Sequence, residues 1–182
     1  MRSTIAAAVA AAALFGAGSA LAQSPSFTDQ ELSAYAEALE VIMPIAQAAG
    51  GAPSAEQQAQ MAQAVTDAGL TPERFNAIAT AGQSDAVVRA RIDLAAAGEP
   101  TPGGVSAATS DAEIDQFARA MVAVRAASGG SSAPTPEQQA AMGEAATSTG
   151  LTVERFNAIG AAIAAEEHLR ARIALAEAEL AG

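Results

Sequence analysis

The side chains able to do chemistry are few. The chain has twenty acids, nine arginines and one histidine, with no lysine and no cysteine. The histidine stands in Glu166-Glu167-His168-Leu169-Arg170. A helical zinc site needs further ligands three or four residues away. Those places hold Ala164, Ala165, Ala171 and Arg172, so His168 reads as a solvated histidine on a helix surface. Asp111-x-Glu113-x-Asp115 resembles the opening of a calcium loop. Such a loop needs Gly sixth and Glu twelfth, where this chain has Gln116 and Val122. These acids read instead as first-turn residues facing a helix dipole. Glu166 and Glu167 are neighbours on a helix and point apart. Arg89 lies four residues from Asp85 and from Asp93, and Arg170 four from Glu166, which are spacings of surface ion pairs. An anion site built on these arginines is the alternative. No Gly-rich phosphate loop follows residue 22, and no serine–histidine–acid spacing is recognisable. The expectation is no catalytic residue, no metal, no cofactor and no enzyme.

Composition narrows the partners. Net charge is −11, which disfavours nucleic acid and anionic membrane surfaces. Hydrophobic residues make up 51% of the chain, but 53 of the 182 residues are Ala, which favours helices and buries little area. Without cysteine there is no disulfide framework, thiolate metal site or acylated N-terminal cysteine.

The first segment reads as an address. Arg2 precedes an apolar run from Ile5 to Phe15, and Ala20-Leu21-Ala22 fits signal peptidase. An uncleaved anchor is the competing reading, but Ile5 to Ala22 is short for a span and carries Gly16, Gly18 and Ser19. Cleavage would leave 160 residues from Gln23 with net charge −12. The expected product is exported, to periplasm or medium, with no stable membrane insertion.

The remainder contains itself twice. Gly69-Leu70-Thr71-Pro72-Glu73-Arg74-Phe75-Asn76-Ala77-Ile78 recurs 81 residues on as Gly150-Leu151-Thr152-Val153-Glu154-Arg155-Phe156-Asn157-Ala158-Ile159. Residues 53–98 and 134–179 share 25 identities in 46 ungapped positions, which reads as duplication. Upstream, Tyr35-Ala36 matches Phe117-Ala118 at offset 82, a one-residue slip in a loop. Gly98-Glu99-Pro100-Thr101-Pro102-Gly103-Gly104 reads as a linker. The division expected is 1–22 signal peptide, 23–98 repeat one, 99–108 linker and 109–182 repeat two.

Each copy reads as three helices, with room for a short fourth, and no segment shows strand alternation. Thr28-x-x-Glu31 is a capping box with Phe27 and Leu32 as its staple, and Leu32, Tyr35, Leu39 and Ile42 share a face. Pro44 is expected to kink or fray this helix. Ser110, Glu113, Ile114, Phe117, Met121 and Val124 repeat the plan. Ser54 with Gln57, and Thr135 with Gln138, cap the second helices. Gly69 and Gly150 occupy C-terminal positions that need positive φ, and Thr71 and Thr152 cap the third helices. Gln83-Ser84-Asp85 marks a break with a new cap. Ala164-Ala165-Glu166 does not, so Ile163 to Leu180 is expected to run as one helix. Units of this size with so few aromatics form thin cores, so the two copies pack on each other or the chain forms a homodimer.

The repeated motif supplies the candidate functional residues: Leu70, Thr71, Glu73, Phe75, Asn76 and Ile78, with Leu151, Thr152, Glu154, Phe156, Asn157 and Ile159. Most have structural reasons to be there. Leu and Phe staple, Thr caps, Glu meets the helix dipole, and Phe and Ile face a core. Asn76 and Asn157 do not fit, since Asn is a poor mid-helix residue. Each is expected to bond a nearby loop backbone; the alternative is that it faces a partner.

At Phe27-Thr28-Asp29-Gln30-Glu31-Leu32, at Gly69 to Ile78 and at Gln83-Ser84-Asp85 with Arg89, the chain resembles the domain of unknown function DUF 4168 family, covering 27–94 and 110–175. That resemblance implies a short exported helical bacterial domain and brings no activity, cofactor or catalytic residue. A weaker likeness is to periplasmic helical chaperones with paired Leu-Thr-x-x-Gln motifs, matched by Leu70-Thr71 and Leu151-Thr152 but with Arg74 and Arg155 where Gln belongs. The functional expectation is a non-enzymatic protein-interaction module of the cell envelope with an unknown protein partner. A chaperone-like binder of unfolded proteins is the alternative.

Overall fold

The computed structural model describes residues 26–129 and 135–182, so the expected signal peptide at 1–22 lies outside it. Among the described residues there are eight helices and no strand: α1 Asp29–Ala49, α2 Ala55–Asp67, α3 Pro72–Ser84, α4 Ala86–Ala96, α5 Asp111–Ser128, α6 Pro136–Thr147, α7 Val153–Ala162 and α8 Glu167–Ala181. The chain is all-α. It divides into two compact units between Ser84 and Asp85.

The first unit holds α1, α2 and α3. Thr28 and Glu31 close the capping box that starts α1, and Ser54 and Gln57 close the one that starts α2. The helix α1 runs through Pro44 for more than a turn before ending at Ala49, so the proline does not terminate it. Gly69 takes φ +84, which lets the chain reverse between α2 and α3. Thr71 then accepts from the Arg74 N–H at 3.2 Å, and Pro72 fills the first helical position, where its missing N–H costs nothing. Phe27, Leu32, Tyr35, Ile42, Met61, Val65, Leu70 and Ile78 are buried.

The second unit holds α4 to α8. Ser110 with Glu113, and Thr135 with Gln138, form capping boxes, and Thr152 caps α7. Gly150 repeats the positive φ at +97. Ile114, Phe117, Ala118, Leu151, Ile159, Leu169, Ile173 and Ala176 make one core. The helix α6 lies along α5 yet has no buried residue of its own. Such a helix gains little from burial and sits at the low-stability end of the unit.

One expectation is overturned here. Ile163 to Leu180 is not one helix: α7 ends at Ala162, and Glu166 adopts an extended backbone (φ −110, ψ 104) before α8 begins. Glu166 does not cap α8 with its side chain. Its carboxylate is engaged by Val105 and Ser106, sixty residues back in the chain, and that tertiary contact accompanies the break.

Candidate functional site

The repeated motif is mainly a clasp between helix starts. In the first unit the Arg74 Nε donates to Glu31 Oε1 at 2.5 Å, and Nη2 donates to Glu31 Oε2 and to the Ser26 carbonyl, both at 2.9 Å. The Arg74 guanidinium also lies 4.4 Å from the centre of the Phe27 ring. Glu31 Oε2 accepts the Thr28 N–H as well, so one carboxylate both caps α1 and fastens α3 to it. The second unit does the same. Arg155 Nε donates to Glu113 Oε1 at 2.6 Å, and Nη2 donates to the Ala108 carbonyl and to Thr109 Oγ1. These hydrogen bonds, Arg74 or Arg155 first and the cap N–H next, hold the carboxyls of Glu31 and Glu113 at about 2, against an ordinary 4.5. In the sequence both arginines stand out only as residues in the place of Gln, with nothing local to show the glutamates they reach.

The other motif residues sort cleanly. Leu70, Ile78, Leu151 and Ile159 are buried. Thr71 and Thr152 cap, and Glu73 and Glu154 sit in the first turns of α3 and α7. Phe75 and Phe156 are half-buried, their rings 4.7 Å from Tyr35 and 4.9 Å from Phe117. The asparagines overturn an expectation: among the described residues neither amide makes a hydrogen bond. Asn76 is half-buried and Asn157 is exposed, so neither serves a loop backbone.

A second polar cluster, which sequence spacing could not reveal, secures the segment expected as a linker. Glu166 accepts the Val105 and Ser106 N–H groups, each at 2.8 Å. Ser106 Oγ lies 2.8 Å from His168 Nδ1, and the serine is only 1% exposed. Arg172 donates to the Ser106 and Thr109 carbonyls and pairs with Asp111 at 2.6 Å. Gly104 is needed close by, since a Cβ there would come within 2.8 Å of Glu166 Oε2. The expected solvated His168 is therefore half-buried against Ser106. Burial, then the Arg172 charge, pushes its pKa down, with Glu99 acting the other way. With its hydroxyl sealed and the neighbouring N–H groups taken by Glu166, Ser106 offers no open face to a substrate. Arg170 pairs with Glu167 at 3.8 Å rather than with Glu166. Among the described residues, Asp111, Glu113 and Asp115 form no metal cluster.

Each unit has a shallow groove, beside α1 and α2 in the first and beside α5 and α6 in the second. In the first unit it is about 250 Å³, between α1 and α2, and is lined by Glu37, Val41, Gln60, Gln63, Ala64, Asp67 and Ala68. In the second it is about 450 Å³, between α5 and the end of α6, lined by Ala112, Asp115, Gln116, Arg119, Ser148 and Thr149. Thr149 Oγ1 there is buried with no hydrogen-bond partner among the described residues. Sequence reading missed both grooves, because their lining residues are individually ordinary surface types.

The family model of the domain of unknown function DUF4168 matches residues 52–92, from the α1–α2 turn into α4, which supports the resemblance over that stretch. No curated protein and no solved structure matches the chain.

Proposed function

We propose that the chain is an exported tandem pair of one helical repeat, and that it acts without catalysis as a protein-interaction module of the cell envelope. The observation that carries this reading is that a shallow groove lies against the first helix of each copy, α1 and α5, and that the two share three aligned lining positions while differing in the residues that fill them. Under the internal alignment, Glu37, Asp67 and Ala68 of the first groove match Arg119, Ser148 and Thr149 of the second. Matching clasps, Arg74 with Glu31 and Arg155 with Glu113, support the duplication. The repeated Leu, Thr, Arg, Phe and Ile residues all have structural partners within their units.

The first groove defines the partner's chemistry. Val41, 51% exposed, with Ala64 and Ala68, supplies its apolar lining, and Glu37, Asp67, Gln60 and Gln63 supply its polar lining. A partner segment with apolar residues flanked by basic ones fits it, and a net charge of −11 steers such a segment toward the surface. The test is co-purification with the tagged full chain from the cell that makes it, beside Glu37→Arg/Asp67→Arg and a Val153→Asp control outside the groove. The reading expects one dominant partner, lost in the charge-reversed variant and kept in the control. Equal capture by all three refutes the groove. A broad spread of unrelated exported proteins would instead favour the chaperone reading.

A further inference from the structure

Resting on the repeat reading, we infer that α4 and α8 form a self-recognition seam: a helix that binds a second copy of its own sequence, satisfied inside one chain. The two helices occupy the same place in the repeat. Arg89-Ala90-Arg91-Ile92-x-Leu94-Ala95 in α4 returns as Arg170-Ala171-Arg172-Ile173-x-Leu175-Ala176 in α8. Within the second unit they pack on each other.

The faces in contact follow from burial. The core stripe of α8 is Leu169, Ile173 and Ala176. Ala171 lies two residues on from Leu169, about 200° around the helix, yet it is only 6% exposed. It is not part of that core; outside it, α8 is covered by α4 and by the 105–109 segment that His168 and Arg172 bond. Ala90, the repeat-equivalent of Ala171, is likewise 6% exposed and is the one buried residue of α4. In the proposal both equivalent alanines sit at the contact between the two helices. Around Ala171, the stripe at i, i+4 and i+7 continues as Leu175 and Ala178; around Ala90 it continues as Leu94 and Ala97. Small side chains at the centre let the two backbones approach, and the leucines fill the space beside them. The two helices differ at one end, where Val87 stands in α4 at the position of His168 in α8, and His168 bonds to Ser106. A surface that fits its own copy is the isologous kind that builds two-fold pairs, and duplication converts such a pair into an internal contact.

The chain has no cysteine, so engineered thiols report unambiguously. In the full chain, Ala90→Cys/Ala171→Cys should cross-link within one molecule under oxidation or a short bis-maleimide, running as a monomer. Ala171→Cys alone should give no cross-linked dimer. Ala90→Glu/Ala171→Cys opens the seam with a charge and leaves the α8 face without its partner. Self-recognition predicts that this variant forms cross-linked dimers through Cys on α8, at least tenfold above Ala171→Cys alone. Far-UV circular dichroism checks that each variant keeps its helices. No intramolecular cross-link in the first variant overturns the seam, and a monomeric Ala90→Glu/Ala171→Cys overturns self-recognition. The repeat itself is scored separately, by superposing α1–α3 on α5–α7 in a crystal structure of the full chain.

Discussion

Replacing Glu31 by Gln removes a charge while keeping the shape that caps α1. Gln57 and Gln138 show that the amide suffices for the cap, since their Oε1 atoms accept the Ser54 and Thr135 N–H groups at 2.8 Å. Glu31→Gln therefore isolates the pairing with Arg74. The folded protein holds the Glu31 carboxyl at about 2 against an ordinary 4.5, and at about 1.4 kcal/mol per pH unit that displacement sets a ceiling of about 3.5 kcal/mol. Water reaches both partners, whose side chains are 29% and 28% exposed, so screening reduces the expected loss to about 1–2 kcal/mol. The direction with pH is fixed by linkage. A carboxyl whose pKa is depressed on folding contributes fully above about pH 4.5, and the contribution is lost as pH falls toward 2. Urea unfolding followed by circular dichroism should show Glu31→Gln less stable by that amount near pH 7 and nearly equal to the parent near pH 2. Glu113→Gln should behave alike in the second unit, where the carboxyl also sits at about 2, and the two losses should add, since they fall in separate units. A Glu31→Gln midpoint unchanged near pH 7, or an acid slope identical to the parent, would refute the clasp as a source of stability.

Three further outcomes follow from the same geometry. Gly104→Ala forces a Cβ against Glu166 Oε2 at 2.8 Å and the Thr101 carbonyl at 3.0 Å, so it should weaken the Glu166 hydrogen bonds by about 1–2 kcal/mol, read as faster amide exchange at Val105 and Ser106. His168 has its pKa lowered by burial and by Arg172 against Glu99, so the second unit should be most stable above about pH 6.5 and lose stability as pH falls below it; His168→Gln should flatten that slope in thermal melts. Asn157 is exposed in mid-helix and its amide has no hydrogen bond among the described residues, so Asn157→Ala should raise stability by about 0.5 kcal/mol in urea titrations rather than lower it.

Local rules read well from this sequence because helix caps act over three residues. Thr28 with Glu31, Ser54 with Gln57, Ser110 with Glu113 and Thr135 with Gln138 all close as spacing expects, and Gly69 and Gly150 take positive φ. The misses are long-range. Glu166 has nothing in its own neighbourhood to reveal Val105 and Ser106 as partners, so the break before α8 was invisible. His168 looked solvated because Ser106 is 62 residues away. Arg74 looked like a departure from a motif, whereas it reaches 43 residues back to Glu31. Most of the motif's side chains have partners within their unit, but its asparagines lack the backbone bonds expected of them. The grooves arise from helix packing, which no single residue announces.

Photo-crosslinking from position 41 tests the central claim most directly. An ultraviolet-activated residue replaces Val41 in the full chain, expressed in its native cell, with the same probe at Val153 as control. Val41 lines the groove and is 51% exposed, and Val153 is 60% exposed on α7. The account predicts one dominant protein adduct at position 41, absent at 153 and lost when Glu37 and Asp67 are changed to Arg. No adduct at 41 above the level at 153, or an adduct indifferent to the charge reversal, would contradict it.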